Sequence, residues 1–155
     1  MLQHDFENSV GYWICSTSHA LRRALDSELS REGITFRQWE VLAWIAIEGE
    51  LSQVELAERL GIEAPTLAGI LSRMERDGWL DRYSCPKDRR RKLIRATSKA
   101  EAVWTRALEC CQRVRERATA GVSPEELSQL NATCDRIRQN LASESEAMIE
   151  TDSIA

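Results

Sequence analysis

The sequence predicts a mainly α-helical chain with one small β-hairpin. Three observations carry that expectation. The 155 residues include only seven glycines and three prolines, too few turn formers for an all-β sandwich or barrel. Apolar residues recur at helical spacing along most of the chain. Between Trp79 and Thr97 the period changes to that of two short strands joined by a cation-rich turn. The length suits one domain, which can bury roughly 68–70% of its unfolded surface without a disulfide or metal staple. With 43% apolar and 30% charged residues, the composition is that of a soluble globular chain and not a disordered one.

The elements follow in order. From Asn8 to about Arg31, Val10, Trp13, Ile14, Leu21, Ala24, Leu25 and Leu29 recur at a helix period and predict one buried stripe, stopped by Gly33. Thr35 to about Glu48 is a second helix, with Phe36, Trp39, Leu42 and Ile45 on one face. Ser52-x-x-Glu55 is a capping-box pattern that starts a short helix from Gln53 to Leu60, ended by Gly61. A fourth helix opens near Ala64-Pro65, where proline is tolerated in a first turn, and runs to Asp77 before Gly78. Trp79–Cys85 and Lys92–Thr97 are the two predicted strands, joined by residues 86–91. Ser98 opens a long helix carrying Ala102, Leu108, Cys111 and Val114, with Trp104 offset, broken by Gly121. Ser123-Pro124-Glu125-Glu126 then starts a last helix with Leu127, Leu130, Cys134, Ile137 and Leu141, fraying after Ile149.

Several function classes are excluded at this level. The longest apolar run, Val41 to Ile47, falls far short of the roughly 20 residues that span a bilayer, and Met1–Asp5 lacks the regions of a signal peptide. Five irregularly spaced cysteines without an export signal are expected to be thiols in a reducing cytoplasm. Cys85, Cys110, Cys111 and Cys134 have no metal-ligand spacing, so neither metal nor cofactor is expected. The net charge of −4 argues against a polyanion partner, but its distribution argues for one. Lys87, Arg89, Arg90, Arg91, Lys92 and Arg95 crowd one short interval against the single acid Asp88.

Short helices followed by a basic hairpin have the order of a winged helix-turn-helix. That motif needs a small residue where two helices cross, a turn residue tolerant of positive φ, and an apolar lock on the second helix. Ala57, Gly61 and Leu67 stand four and six residues apart in those roles, with Leu56, Leu60, Ile62 and Ile70 filling the core. An ordinary core helix pair explains the apolar positions but not the basic hairpin. In this geometry the second helix lies in the major groove of duplex DNA. Its exposed positions are predicted as Glu63, Ala64, Pro65, Thr66, Ala68, Gly69, Ser72, Arg73 and Arg76. Ser52 and Gln53, at a helix amino terminus, are placed for phosphates. Lys87 to Arg91 reach the adjacent minor groove, with Asp88 holding a neighbouring arginine to order the tip.

The stretch Asp88 to Ala100 resembles the wing-and-helix signature of the MarR family of bacterial transcriptional regulators, and the SlyA branch in particular. Gly61 to Leu67, Thr35 to Trp39, Cys85 and Ser123 to Leu127 are similar to that branch as well. The resemblance covers about residues 8–145 and is specific over 52–100. It implies a single MarR-type domain over 8–145. Within it lies a winged helix-turn-helix at 34–98 (helix-turn-helix 53–77, wing 79–97), flanked by dimerisation helices at 8–32 and 98–149. It carries Pro65 and Thr66 onto recognition-helix contact positions and Asp88 and Arg90 onto the wing-tip pair. Gly69 is a departure, since SlyA-like proteins have an arginine there that reaches bases. The resemblance further implies an obligate homodimer on a pseudo-palindromic operator, most simply a repressor.

A small-molecule pocket for phenolic carboxylates is also implied. Trp13, His19, Trp39 and Ile70 are its expected lining, with His19 or Arg22 meeting the carboxylate. Trp39 and Ile70 fit plain core at the same spacing. Cys15 lies in the first helix like the cysteine of the family's hydroperoxide sensors, which makes redox sensing an alternative. However, Phe36 stands where those sensors have a tyrosine. Two alternatives come from other classes. One is a winged-helix module for protein contacts without DNA, and the other is an enzyme built on Cys85 or Cys15 with His19.

Overall fold

The computed structural model describes residues 5–85 and 91–152, with side chains described as far as residue 142. The elements run α1 (Val10–Arg31), α2 (Phe36–Glu48), β1 (Leu51–Ser52), α3 (Gln53–Leu60), α4 (Ala64–Arg76), β2 (Leu80–Ser84), β3 (Lys92–Ala96), α5 (Ser98–Ala118) and α6 (Pro124–Asp152). Two compact units result, residues 1–118 and 119–155. In the second, α6 opens with a reciprocal cap. Ser123 N–H donates to Glu126 at 2.8 Å, and Glu126 N–H donates to the Ser123 hydroxyl at 3.2 Å.

Local chemistry sets the boundaries in the first unit. Thr35 and Ser52 each accept from the backbone of a residue three positions on, while Gln38 and Glu55 reach back to them, so α2 and α3 both start in capping boxes. Gly61 ends α3 at φ 58, ψ 41, the left-handed region that Cβ sterics close to most residues. The core gathers Leu29 from α1, Val41, Leu42 and Ile45 from α2, Leu56 and Leu60 from α3, and Leu67, Ile70, Leu71 and Met74 from α4. Leu80 and Ile94 from the sheet and Ala100, Val103, Ala107 and Cys110 from α5 complete it.

Three sequence expectations need correction. The wing sheet has three strands in the order β1-β3-β2, not two, because Leu51 and Ser52 pair antiparallel with Ile94 and Leu93. Two residues are too short a run to show a period. The buried stripe of α5 is Ala100, Val103, Ala107, Cys110 and Val114. Ala102 and Leu108 face solvent, and Cys111 and Trp104 are half-buried. Val114 belongs to both stripes, while Ala102, Leu108 and Cys111 each stand one residue from a buried position, since the small Ala100 and Ala107 make the close approach. The expected stripe of α1 is covered only at its carboxyl end: Leu29 is buried, whereas Val10 is 60% and Trp13 56% exposed, and Ile14 and Leu21 also face solvent.

A buried acid clamps α1 to α5, and the sequence reading missed it. Glu28 is 5% exposed and meets Arg113 at 2.9 Å, Arg31 at 3.4 Å and Arg117 at 3.5 Å, while Glu32 meets Arg106 at 3.4 Å. The hydrogen bond from Arg113, with the charges of Arg31, Arg113 and Arg117, holds the Glu28 carboxyl below the usual glutamate range against the opposing effect of burial.

Candidate nucleic-acid interface

The helix-turn-helix is built as the spacing requires. Ala57 and Ile62, both half-buried, pack on the core where α3 meets α4. Ile62 N–H donates to Ala57 O at 3.2 Å and closes the turn. Leu67, Ile70, Leu71 and Met74 seat α4 on the core, which turns its other face outward. On that face Glu63, Ala64, Pro65, Thr66, Gly69, Ser72, Arg73 and Arg76 are exposed and Ala68 is half-buried. Pro65 lies in the first turn of α4, where its missing N–H costs nothing. Arg73 makes no ion pair among the described residues, and Arg76 only a 3.6 Å contact to Asp77. The Ser72 hydroxyl accepts from Arg82 at 3.3 Å, and Arg82 also meets Glu75 at 3.2 Å, so β2 braces the helix from its flank.

The start of α3 lies beside that face. Ser52 is buried and commits its hydroxyl to the cap. Half-buried Gln53 donates from Nε2 to Ala64 O at 3.4 Å, linking the amino ends of α3 and α4. At the end of the described part of the hairpin, Cys85 N–H donates to Arg91 O at 2.8 Å. Lys87, Asp88, Arg89 and Arg90 lie outside the described residues. Arg91 pairs with Glu55. That bond, together with those from the Ser52 backbone and hydroxyl, holds the Glu55 carboxyl down to about 2. Tyr83 donates its hydroxyl to Glu50, Lys92 donates to the Ser84 hydroxyl at 2.8 Å, and Arg95 lies 5.0 Å from the Tyr83 ring centre.

The residues expected around a ligand divide into three groups. Arg22 sits 4.5 Å over the Phe36 ring, and Phe36 lies 5.3 Å from Trp39, so α1 and α2 bring Arg22 and Trp39 to one stack. Trp13 instead packs on Tyr12 and donates its indole N–H to Glu7 O at 3.1 Å, and His19 is exposed. Ile70 is closed into the core at 4% exposure. A cavity of about 200 Å³ opens elsewhere, between Leu42, Ala46, Ala96, Ala100 and Trp104, and includes none of these five residues. All five cysteines are free thiols, with Cys15 exposed and Cys110 buried. No helix among the described residues is long and apolar enough to cross a membrane.

Comparison with known proteins gives this geometry a family. Residues 32–91, from the end of α1 to the wing, match the model of the MarR family. Over those residues the winged helix of this chain is similar to the MarR family. A mutant MarR from E. coli complexed with operator DNA is 25% identical, covering 83% of this chain and 92% of that one, with a TM-score of 0.73. Wild-type E. coli MarR in its apo form is also 25% identical, covering 83% and 96%, with a TM-score of 0.75. The PcaV transcriptional regulator of Streptomyces coelicolor, complexed with its natural ligand, is 27% identical, covering 90% and 98%, with a TM-score of 0.72. The MarR structure is complexed with operator DNA and PcaV is a transcriptional regulator, descriptions that lend no support to a catalytic reading of Cys85 or Cys15 with His19.

Proposed function

We propose that this chain is a homodimeric transcriptional regulator that binds a pseudo-palindromic duplex operator and answers to a small aromatic carboxylate. The observation that carries the reading is the face of α4. Its apolar stripe is spent on the core, and Ala64, Pro65, Thr66, Gly69, Arg73 and Arg76 are turned to solvent, in a chain similar to a MarR protein that is complexed with operator DNA. Thr66 and Arg73 supply donors for base edges or phosphates in the major groove, with Ser52 and Gln53 near the backbone. Lys87 to Arg91 give the wing its positive charge for the minor groove, with Asp88 ordering the tip. Repression by occupying the operator is the simplest action, in a cytoplasmic protein of the SlyA-like branch.

The dimer follows from surface chemistry. Phe6, Val10, Trp13 and Ile14 at one end of the chain and Leu130 and Leu141 in α6 are large apolar side chains left exposed. A second copy would cover such surface, and a two-fold axis matches half-sites about one helical turn apart. The dimerisation segments are those at 8–32 and 98–149, on either side of the winged part at 34–98. For the ligand, PcaV is a precedent, and the Arg22–Phe36–Trp39 stack offers a cation and aromatic faces to a carboxylate. Trp13, His19 and Ile70 complete the proposed set.

Titration of duplex DNA at several salt concentrations tests the reading. Arg90→Ala should weaken binding by about 1–3 kcal/mol and lower the salt slope by roughly one ion, while Lys99→Ala changes little. An unchanged affinity and slope in folded Arg90→Ala would put the DNA site elsewhere. Sedimentation of a folded 17.7 kDa monomer at micromolar concentration would refute the dimer.

A further inference from the structure

The base of the wing is tied to the helix-turn-helix through a pair that α3 and β3 share. The short strand β1 sets it up. Leu51 pairs with Ile94 and Ser52 with Leu93, so continuing the antiparallel register by two residues lays the first turn of α3 beside Arg91. Arg91 also accepts at its backbone oxygen from Cys85 N–H at 2.8 Å, which joins the two sides of the hairpin. The two oxygens of Glu55 divide the work. Oε2 accepts from the Ser52 N–H at 2.8 Å and the Ser52 hydroxyl at 2.7 Å, which caps α3. Oε1 accepts from Nη2 of Arg91.

A carboxylate in the first turn of α3, next to Ser52 and Gln53, sits where a DNA phosphate is expected and would repel it. Its charge is cancelled by a cation that stands next to β3, and the pair fixes the start of β3 against α3. We infer that Glu55 is a positioning residue for DNA binding: it acts through Arg91, which, set apart from the groove-facing cations Lys87, Arg89 and Arg90 of the proposed wing, ties the wing to α3 and is not itself a phosphate contact. The inference rests on the DNA-binding reading above.

The two roles open to Arg91 give opposite signs for one variant. Glu55→Gln keeps the cap, since glutamine serves at that position, but removes the charge that holds Arg91. If Arg91 is a tie, Glu55→Gln and Arg91→Ala each weaken binding about two- to five-fold, the full worth of a half-exposed ion pair. The double variant is then no weaker than Arg91→Ala alone, and Arg91→Ala keeps the wild-type salt slope. If Arg91 is a phosphate contact, Glu55→Gln binds as tightly as wild type or tighter, and Arg91→Ala loses about one ion from the slope.

The assay is a salt-series titration of a duplex selected by the wild-type chain from a random-sequence pool, with circular dichroism to show each variant folded. Weaker binding by Glu55→Gln together with an unchanged Arg91→Ala slope supports the tie. Undiminished binding by Glu55→Gln, or a slope lowered by about one, overturns it. Should Arg91→Ala not fold, Glu55→Gln decides alone. A wild-type chain with no salt-dependent DNA binding would sink the DNA reading itself, a failure distinct from that of the tie.

Discussion

Leu67 and Thr66 are neighbours in sequence and opposites in the fold, and substituting each tests which face of α4 reads DNA. Leu67 is fully buried where α4 meets α3. Leu67→Ala removes three carbons, about 2.4 kcal/mol of transfer free energy at about 0.8 kcal/mol per group. The cavity left behind adds to this and brings the cost to about 3–5 kcal/mol. In a chain of this size that lowers the melting midpoint by roughly 6–20 °C. Thr66 is exposed, so Thr66→Ala should leave stability within about 0.5 kcal/mol but cost about 1–3 kcal/mol of DNA affinity, roughly 5- to 150-fold. The assays are thermal and urea unfolding at one fixed protein concentration, because a dimer's midpoint moves with concentration, and DNA titration well below each midpoint. One pattern would refute the reasoning: Leu67→Ala as stable as wild type but defective in DNA binding, with Thr66→Ala the reverse. The face of α4 would then be rotated by one residue, and the winged-helix geometry would be wrong for this chain.

Gly61→Ala should cost about 1–2 kcal/mol in urea unfolding, because the left-handed φ of 58 is strained for any Cβ even though no atom crowds the site. Glu28→Gln should lower the melting midpoint at neutral pH, and the gap to wild type should close in acid. The Glu28 carboxyl is held below its ordinary value in the folded chain, so its contribution is complete above an unfolded pKa of about 4.3 and is lost as pH falls through the folded value. A gap independent of pH would mean that the three arginines do not act on Glu28 through charge. Millimolar salicylate should weaken DNA binding, by roughly 5- to 150-fold for a coupling of about 1–3 kcal/mol, and less so in Trp39→Ala. No shift with salicylate or related phenolics would return Trp39 to a purely packing role.

Much of the winged domain was legible because its signals are local. The pattern Ser52-x-x-Glu55 caps α3 within one turn, and Gly61 supplies a backbone conformation that other residues resist. The spacing of Leu67 and Ile70 among exposed positions follows a period any helix imposes, and the structure adds Leu71 and Met74 to the same stripe. The proposed DNA face was legible for the same reason, since burying one stripe of α4 determines what the other face shows.

What the sequence alone determined, then, is where most elements begin and end and which side of α4 turns away from the core, because caps, glycine turns and periodicity act within a few residues. Tertiary structure decided whatever joins residues distant in the chain. Strand β1 exists only because β3 lies alongside to pair with it. Glu55 could be read as a cap, but its second oxygen meets a residue 36 positions away. Glu28 finds Arg113 across 85 positions, and only the packing of α5 on α1 puts that acid out of water beside three arginines. Hydrophobic periodicity says that a face will be buried, but not what will bury it. That is why the α1 stripe was predicted whole and is covered in a single chain only at Leu29 and its neighbours.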